Sequence, residues 1–242
     1  LTGAFSPSPA AKFDKPKKSG LLRTITIPRI EDALVFQAFA EEAARSERGS
    51  SDQFANHVYS DILNPASRSE PGAVAEGDDN SYFLRGDYLG FRRKRKDLSS
   101  KGSFTHRLYT DIHCYYDSIP HALFLDKLRT DFGFTRDMCA MLGKCLNAWS
   151  GTREGPTPGV GIPQSVDSSH FFGNLYLREL DEWLIQQEGN YCRFRDDIVA
   201  FCNSKYAVEG LRTGIDIQLK ALGLALNPQK TAIFSITEDG SE

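Results

Sequence analysis

Two adjacent carboxylates, Asp196 and Asp197, stand in the middle of the apolar run YCRFRDDIV at 191–199. Neighbouring like charges repel each other, and burial without a partner destabilises each of them further. A divalent cation relieves that repulsion, because hard cations such as Mg²⁺ prefer carboxylate oxygens as ligands. A solvated turn that contains two aspartates by chance is the alternative explanation of the pair alone.

A third carboxylate, Asp111, ends a second predicted strand, between RLYT and IHCYY. If the two strands are neighbours in a sheet, Asp111 and Asp196 can share a pair of cations, with Asp197 as a third ligand or an outer acid. Two cations about 3.5–4 Å apart clamp the attacking and the leaving oxygen of an in-line phosphoryl displacement. The three aspartates therefore predict phosphoryl transfer, which depends on positioning and charge neutralisation.

A hairpin and a strand must position these carboxylates. Residues 191–204 are typical of a β-hairpin with the two aspartates at its tip, and residues 106–119 of a strand and its exit. Residues 21–30 predict a strand that ends at Pro28, whereas residues 1–20 predict a loose leader. Helices are predicted at 31–46, 121–132, 135–149, 168–187 (with Ser168 as its N-cap) and 205–223. This irregular order predicts an α+β fold, an antiparallel sheet covered by helices, rather than a doubly wound parallel sheet.

Charge, cysteine content and hydropathy exclude several classes of protein. The net charge of −3 gives no overall basic signature of nucleic-acid binding, although it is compatible with a local basic patch. The five cysteines are odd in number and form no CxxC pair or zinc-ligand spacing, which predicts a reducing compartment and a cytoplasmic location. No apolar run is long enough to span a bilayer and no signal peptide is visible, so no membrane partner is expected. Because the chain begins at Leu1 rather than Met, we expect it to be cropped or processed.

Four segments resemble, in chain order, motifs A, B, C and D of reverse transcriptases. They are TDIHCYYDSIPHALF, GIPQSVDSSHFFGNLYLRELDEWL, YCRFRDDIVAF and ALGLALNPQKTAIF, with the motifs at 109–119, 161–182, 191–202 and 222–234. The stretch LLRTITIPRIEDALVFQAF resembles the fingers motifs that precede motif A in that family. The likeness covers residues 12–236 and is nearest to bacterial enzymes of group II introns, retrons and abortive-infection or other defence systems.

This resemblance implies a right-hand polymerase fold of fingers and palm, with the thumb absent or truncated. The fingers would comprise residues 1–104 and 122–160, and the palm residues 105–121 and 161–242. The implied function is RNA-directed DNA polymerisation with two Mg²⁺ ions, for which Mn²⁺ can substitute. The implied partners are an RNA template, a DNA or RNA primer, deoxynucleoside triphosphates, and a non-coding RNA or accessory protein, in a bacterial anti-phage setting.

The resemblance assigns the metal site to the three aspartates and one backbone group. Asp111 matches the metal ligand of motif A, and Asp196 and Asp197 match the acidic pair of motif C. Ile112 is the neighbour whose backbone would support the metal or the triphosphate. Lys230 matches the motif D lysine, which would protonate the leaving pyrophosphate as a general acid, although a solvated lysine at a turn is the alternative.

Further residues match nucleotide-binding positions of the family. Tyr116 would pack under the sugar and exclude a 2′-hydroxyl, and Gln164 would help to hold the templating base pair. Ser165 departs from the family, which usually has glycine there. Arg23 matches the fingers arginine that grips the triphosphate, since its planar fork binds phosphate oxygens bidentately, and Lys18 is a further candidate for that grip.

Nucleic-acid contacts are expected in the run RRKRK at 92–96, through Arg92, Arg93 and Arg95, because nearby aromatic residues add stacking to phosphate neutralisation. A solvated basic face is the alternative.

Asn174 matches an asparagine of the motif B helix, with a packing role as its alternative. Arg195 departs from the small or apolar residue that usually precedes the acidic pair. It would reach a phosphate or pair with a neighbouring aspartate.

Two other functions remain open from the sequence. The first is template-independent or protein-primed DNA polymerisation of the abortive-infection type, because Ser165 leaves the templating pocket unusual. The second is a non-catalytic RNA-binding scaffold, since a fold alone does not establish activity. The intact set of three aspartates argues against the scaffold.

Overall fold

A computed structural model of the chain describes residues 5–17, 20–47, 51–63, 83–84, 86–155, 157–164, 166–187 and 190–236. In chain order its strands are β1 (Ala11–Pro16), β2 (Leu22–Ile27), β3 (Ile62–Leu63), β4 (Phe83–Leu84), β5 (His106–Asp111), β6 (Tyr191–Phe194), β7 (Asp197–Cys202) and β8 (Ala232–Ser235). Its α-helices are α1 (Ile30–Glu47), α2 (Tyr88–Ser99), α3 (Tyr115–Ser118), α4 (His121–Asp131), α5 (Arg136–Trp149), α6 (Asp167–Tyr176), α7 (Arg178–Gln186) and α8 (Lys205–Ala221). None of these helices is long and apolar enough to cross a membrane.

By its internal contacts the chain forms two compact units. The first comprises Leu1–Arg48 and Tyr116–Phe172, and the second Gly49–Tyr115 and Gly173–Glu242. These units are defined by contacts alone, and the division into fingers and palm stays a prediction.

The first unit contains the hairpin of β1 and β2 and the helices α1, α4 and α5. Loose structure was predicted over residues 1–20, but β1 pairs antiparallel with β2, so that prediction is wrong for residues 11–16. Alternation is weak in AKFDKP, and three of its six residues are charged, which hid the strand. Helix α1 carries Glu31 and Asp32 in its first turn, where negative charges interact favourably with the helix dipole.

The core of the first unit contains an aromatic cluster. The ring of Phe36, on α1, lies 5.4 Å from that of Trp149 at an edge-on angle and 5.2 Å from that of Phe172. Phe124, on α4, meets Phe172 edge-on at 5.3 Å. Edge-on and tilted aromatic pairs of this kind add stabilisation beyond the area that they bury.

The second unit contains a four-stranded antiparallel sheet in the order β6-β7-β5-β8. Val199 and Phe201 of β7 pack with Phe91 and Leu98 of α2. Helix α8 contacts β5 and β7. Its N-cap is Ser204, and its C-terminal turn ends at Gly223, where φ is +69°. The sheet covered by helices confirms the α+β prediction.

The predicted helix over 168–187 is two helices. α6 ends at Tyr176 and α7 begins at Arg178, with Leu177 between them in a non-helical conformation. Ser168 lies inside α6, where its hydroxyl donates to Gln37 Oε1 at 2.5 Å, so its prediction as an N-cap is wrong. The break carries neither glycine nor proline, the residues that usually mark such a boundary in a sequence.

Candidate active site

Strand β5 ends at Asp111, next to the turn that carries Asp196 and Asp197. β5 pairs antiparallel with β7, in a register that sets Asp111 opposite Asp197. One residue later, the Ile112 amide donates to the Asp196 carbonyl at 3.3 Å. The structure thus brings together, at one end of the sheet, the three aspartates and Ile112 that the sequence singled out.

Asp111 is held through its backbone and its side chain. Its carbonyl accepts from the Asn227 amide at 2.7 Å, and its carboxylate accepts from Asn227 Nδ2 at 3.1 Å. Lys230 Nζ donates to the other carboxylate oxygen at 2.6 Å. Both residues belong to the turn before β8, so the predicted motif D segment reaches the carboxylates.

Lys230 is a cation with acidic neighbours. Partial burial alone would lower its pKa, but the hydrogen bond and the charge of Asp111 outweigh burial, and the pKa is raised. A raised pKa makes the ammonium group a weaker acid. In this arrangement Lys230 serves as the counter-charge of Asp111, and its role as a general acid stays a prediction.

Asp197 shows the electrostatic cost of this arrangement. Burial raises the pKa of its carboxyl to about 6, and the charges of Asp196 and Asp111 act in the same direction. The positive charges of Lys230 and Arg95 oppose the shift. Crowding of like charges in a partly buried site is what a bound cation relieves.

The donor set fits a divalent metal, since three carboxylates supply the hard oxygen ligands that Mg²⁺ and Mn²⁺ prefer. Within the described ranges, no group of three or more His, Cys, Asp or Glu side chains is already arranged as a metal site. Lys230 Nζ donates to a carboxylate oxygen of Asp111, so a cation bound by that oxygen would have to displace the ammonium group.

Two residues near the turn have their polar groups engaged by the protein. Arg195 pairs with Asp61, to which its Nε and Nη2 donate at 3.0 and 3.3 Å. Asn174 Nδ2 donates to the Asp61 carbonyl at 2.5 Å, and its Oδ1 accepts from Ser60 and Arg193. Their predicted contacts with nucleic acid stay predictions, and these hydrogen bonds offer a second role.

The predicted basic run lies on helix α2. Its side chains line a groove of about 580 Å³ that also receives Arg107 from β5, a residue that the sequence did not single out. The lining residues are Asp87, Leu89, Arg92, Arg93, Arg95, Lys96, Ser99 and Arg107. Arg95 is anchored over the ring of Tyr109, with its guanidinium carbon 5.8 Å from the ring centroid.

In the first unit, Tyr116 contacts a histidine, and Gln164 has a buried amide oxygen. The Tyr116 hydroxyl is 2.8 Å from His170 Nδ1, and the two rings meet edge-on. Oε1 of Gln164 is buried, and no hydrogen-bond partner is found for it among the described residues. A buried acceptor without a partner is unusual in a folded protein and is compatible with a ligand contact. Ser165 lies outside the described residues.

Arg23 belongs to a cluster of charges around Asp117 in the same unit. Desolvation by the surrounding protein raises the pKa of the Asp117 carboxyl, and the positive charges of Lys17, Arg23 and Lys12 oppose that shift. Asp117 lines a cavity of about 170 Å³ together with threonine and serine hydroxyls. The predicted residue Lys18 lies outside the described residues.

The comparisons with known proteins agree with this geometry. A family model described as reverse transcriptase (RNA-dependent DNA polymerase) matches residues 15–240. The chain belongs to the reverse transcriptase family. Members of this family are nucleotidyltransferases that act as polymerases, and they generally use divalent metals. No curated protein sequence matches the chain.

Solved telomerase structures share the fold of this chain. An apo telomerase from Candida tropicalis superimposes with a TM-score of 0.61 at 13% identity, over 100% of this chain and 46% of the telomerase chain. A telomerase from Candida albicans, solved with a fragment of telomeric RNA, superimposes with a TM-score of 0.59 at 11% identity, over 96% and 43%. This reverse transcriptase chain therefore spans less than half the length of those telomerase chains.

Asp61, Asp181 and Arg193 are three further charged residues near the turn, and they were not predicted from the sequence. Arg193 and Asp181 form a buried ion pair next to the turn, with Nη2 and Oδ2 2.5 Å apart. Arg193 stands between apolar residues of a predicted strand, and a buried charge needs a partner of opposite sign. That signal could have flagged Arg193, whereas Asp181 lies in the charged stretch RELDE, where no local pattern marks it.

Proposed function

We propose that this chain is an RNA-directed DNA polymerase, in which the 3′-hydroxyl of a primer attacks the α-phosphate of a deoxynucleoside triphosphate and pyrophosphate leaves. The observation that carries the proposal is the register of β5 and β7, which sets Asp111 opposite Asp197 and beside Asp196. Membership of the reverse transcriptase family supports the same reaction.

The residues at the end of the sheet fit the work of phosphoryl transfer. Asp111, Asp196 and Asp197, with the backbone of Ile112, would hold the divalent cations. These ions supply neutralisation of the charge that develops on the transferring phosphoryl group. Asn227 fixes the orientation of Asp111, since it contacts both its carbonyl and its carboxylate.

The first unit carries the groups proposed to recognise the nucleotide. We assign Arg23, with Lys18, to the triphosphate because guanidinium and ammonium groups bind phosphate oxygens. We assign Gln164 to the templating base pair because its buried oxygen accepts no hydrogen bond from the described residues and could accept one from a base. We assign Tyr116 to the sugar because its ring is buried and its hydroxyl is held beside His170.

The nucleic acid is proposed to contact the basic groove of α2 through Arg92, Arg93 and Arg95. The groove collects cations from two elements, as a phosphate backbone requires. RNA as the template is supported by the family, and a structural neighbour has been solved with a fragment of telomeric RNA. An anti-phage setting rests on the likeness of the α2 segment to defence enzymes, and plaque counts with and without the gene test it.

The experiment that tests this function is extension of a DNA primer on an RNA template of mixed sequence, with each deoxynucleotide supplied alone. In each of these reactions a templated polymerase, with Mg²⁺ or Mn²⁺ present, adds the nucleotide only where it is complementary to the next template base. Addition without regard to the template, or without any template, would support the template-independent polymerase instead. Binding of RNA by a folded protein that incorporates no nucleotide would support the scaffold.

Tyr116 is expected to decide the sugar. We expect Tyr116→Ala to accept ribonucleotides far better than the unmodified protein, because the smaller side chain leaves room for a 2′-hydroxyl. Competition between ribonucleotide and deoxynucleotide at one template position measures this preference. Equal preference in both proteins would remove Tyr116 from the sugar-binding role.

A further inference from the structure

A buried arginine lies next to the turn that carries the acidic pair. Arg193, on β6, is 1% exposed, although arginine is among the residues least often buried. Its Nε and Nη2 donate to the two carboxylate oxygens of Asp181, on α7, at 2.9 and 2.5 Å. This bidentate arrangement fixes the plane of the guanidinium group and leaves Nη1 able to donate to other acceptors.

Nη1 of Arg193 contacts the turn itself. It donates to the carbonyl oxygen of Arg195 at 2.8 Å, which belongs to the peptide bond between Arg195 and Asp196. Arg195 has a φ of +56°, in the left-handed region that non-glycine residues adopt at a cost. The hydrogen bond therefore holds a strained peptide immediately before the first carboxylate.

A second set of contacts holds the side chain of Arg195. The segment that ends at Asp61 runs beside β6, where the Arg193 amide donates to the His57 carbonyl at 2.7 Å and the Tyr59 amide donates to the Arg193 carbonyl at 2.9 Å. Asp61 has a side chain that is 1% exposed and accepts from two nitrogens of Arg195.

Asn174, on α6, joins the two sets. Its Oδ1 accepts from Arg193 Nη1 at 3.0 Å and from the Ser60 hydroxyl at 2.6 Å, and its Nδ2 donates to the Asp61 carbonyl at 2.5 Å. We call these contacts the turn network. Its members are Ser60, Asp61, Asn174, Asp181, Arg193 and Arg195.

We propose that the turn network positions the carboxylates of Asp196 and Asp197, and that Asn174 and Arg195 act as positioning residues rather than as ligands of nucleic acid. This inference rests on the proposed polymerase function. A buried ion pair stabilises a fold no better than well-packed apolar side chains do. Directional hydrogen bonds to both the carbonyl and the side chain of a strained residue, however, can fix a backbone conformation that apolar packing cannot specify.

The first test is Asp61→Asn, which keeps the size of the side chain and removes the charge that holds Arg195. Misplacement of reacting groups by about 1 Å lowers a rate by roughly 100-fold, so we expect kcat to fall by about 10- to 100-fold. The dissociation constant for primer–template should not change, because no ligand contact is removed. Asp216→Asn, which breaks an exposed ion pair with Lys220 on α8, is the matched control and should leave both values unchanged.

The second test combines Asp61→Asn with Arg195→Gln. If Arg195 acts through Asp61, the double variant loses no more kcat than the more severe single variant. If Arg195→Gln instead weakens primer–template binding, and the losses add in the double variant, Arg195 is a ligand of nucleic acid and the proposal is overturned.

Hydrogen exchange separates this proposal from the polymerase function on which it rests. We expect the amides of residues 194–197 to exchange faster in Asp61→Asn than in the unmodified protein, with or without activity. Unchanged exchange in this turn would overturn the positioning role. Absence of nucleotide incorporation by the unmodified protein would overturn the polymerase function and leave the exchange result standing as evidence on the turn.

Discussion

Arginines near the turn that carries Asp196 and Asp197 and arginines of helix α2 carry the same charge but are held in opposite ways. The side chain of Arg193 is 1% exposed and donates to Asp181, Asn174 and the turn backbone. The side chain of Arg93 is 76% exposed, and its Nη2 lies 3.6 Å from Oδ2 of Asp87 at the surface. A cation that the protein has fully engaged stabilises the protein. A cation left in solvent beside other cations is available to a polyanion.

The contrast bears on how sequence motifs of a polymerase are interpreted. The runs RFRDD and RRKRK both predict contacts with phosphate when they are considered as residue types. In the folded protein the first run is part of a hydrogen-bonded network and the second lines a groove. Burial and partners, rather than residue type, distinguish the two roles.

The largest difference is expected in stability. Arg193→Met leaves Asp181 as an unpaired buried charge, which should lower the free energy of unfolding by about 3–5 kcal/mol. Arg92→Gln removes an exposed charge and should change it by less than about 0.5 kcal/mol. Urea unfolding followed by circular dichroism measures both, and equal effects would contradict the contrast.

A double replacement sharpens the same comparison. Arg193→Met with Asp181→Leu removes both charges, so most of the lost stability should return. Nucleotide incorporation should not return with it, because the donor to the Arg195 carbonyl is still missing. Recovery of both would mean that the pair only fills the core.

A smaller effect is expected from pH at the turn that carries Asp196 and Asp197. Because the pKa of Asp197 is raised from 3.8 to about 6, the folded state binds this proton more tightly than the unfolded state does. Stability of the cation-free protein should therefore fall by roughly 2 kcal/mol as the pH rises from about 4 to about 6, and then level off.

The matched variant for this prediction is Asp197→Asn, which has no carboxyl to titrate. Unfolding in the presence of a chelator should show the variant gaining stability relative to the unmodified protein across that interval. A constant difference between the two proteins from acid to neutral pH would contradict the raised pKa.

The smallest effect is expected in the salt dependence of nucleic-acid binding. Arg92→Gln and Arg93→Gln should each weaken binding modestly on every sequence and reduce the slope of log affinity against log salt by about 1. Fluorescence anisotropy with a labelled primer–template measures the slope. Lys205→Gln, an exposed lysine on α8, is the control, and equal slopes in all three variants would remove α2 from the interface.

The central hairpin and the meeting of the three aspartates could be predicted from the sequence. Alternation and β-branched residues marked the strands, and the acids stood at the ends of two of them, so only the pairing of β5 with β7 had to be assumed. Helix α2 was not predicted as a helix, because its basic run hid the apolar positions. Phe91 and Leu98, seven residues apart, share its buried face.

The remaining features depend on contacts that sequence spacing does not reveal. β1 became visible only through its pairing with β2, and the break at Leu177 has no local signal. Asp61 reaches Arg195 across 134 positions of the chain. Such a contact follows from the packing of the whole unit, and no local pattern predicts it.

The measurement that tests the central claim most directly is extension of a DNA primer on an RNA template by the unmodified protein, by Asp111→Asn and by Asp196→Asn, with binding of the same primer–template measured in parallel. We predict template-complementary extension by the unmodified protein and a loss of at least about 10²–10³-fold in both variants, with binding retained. Extension by either variant at the unmodified rate, or none by a folded, primer-bound unmodified protein, would contradict the account.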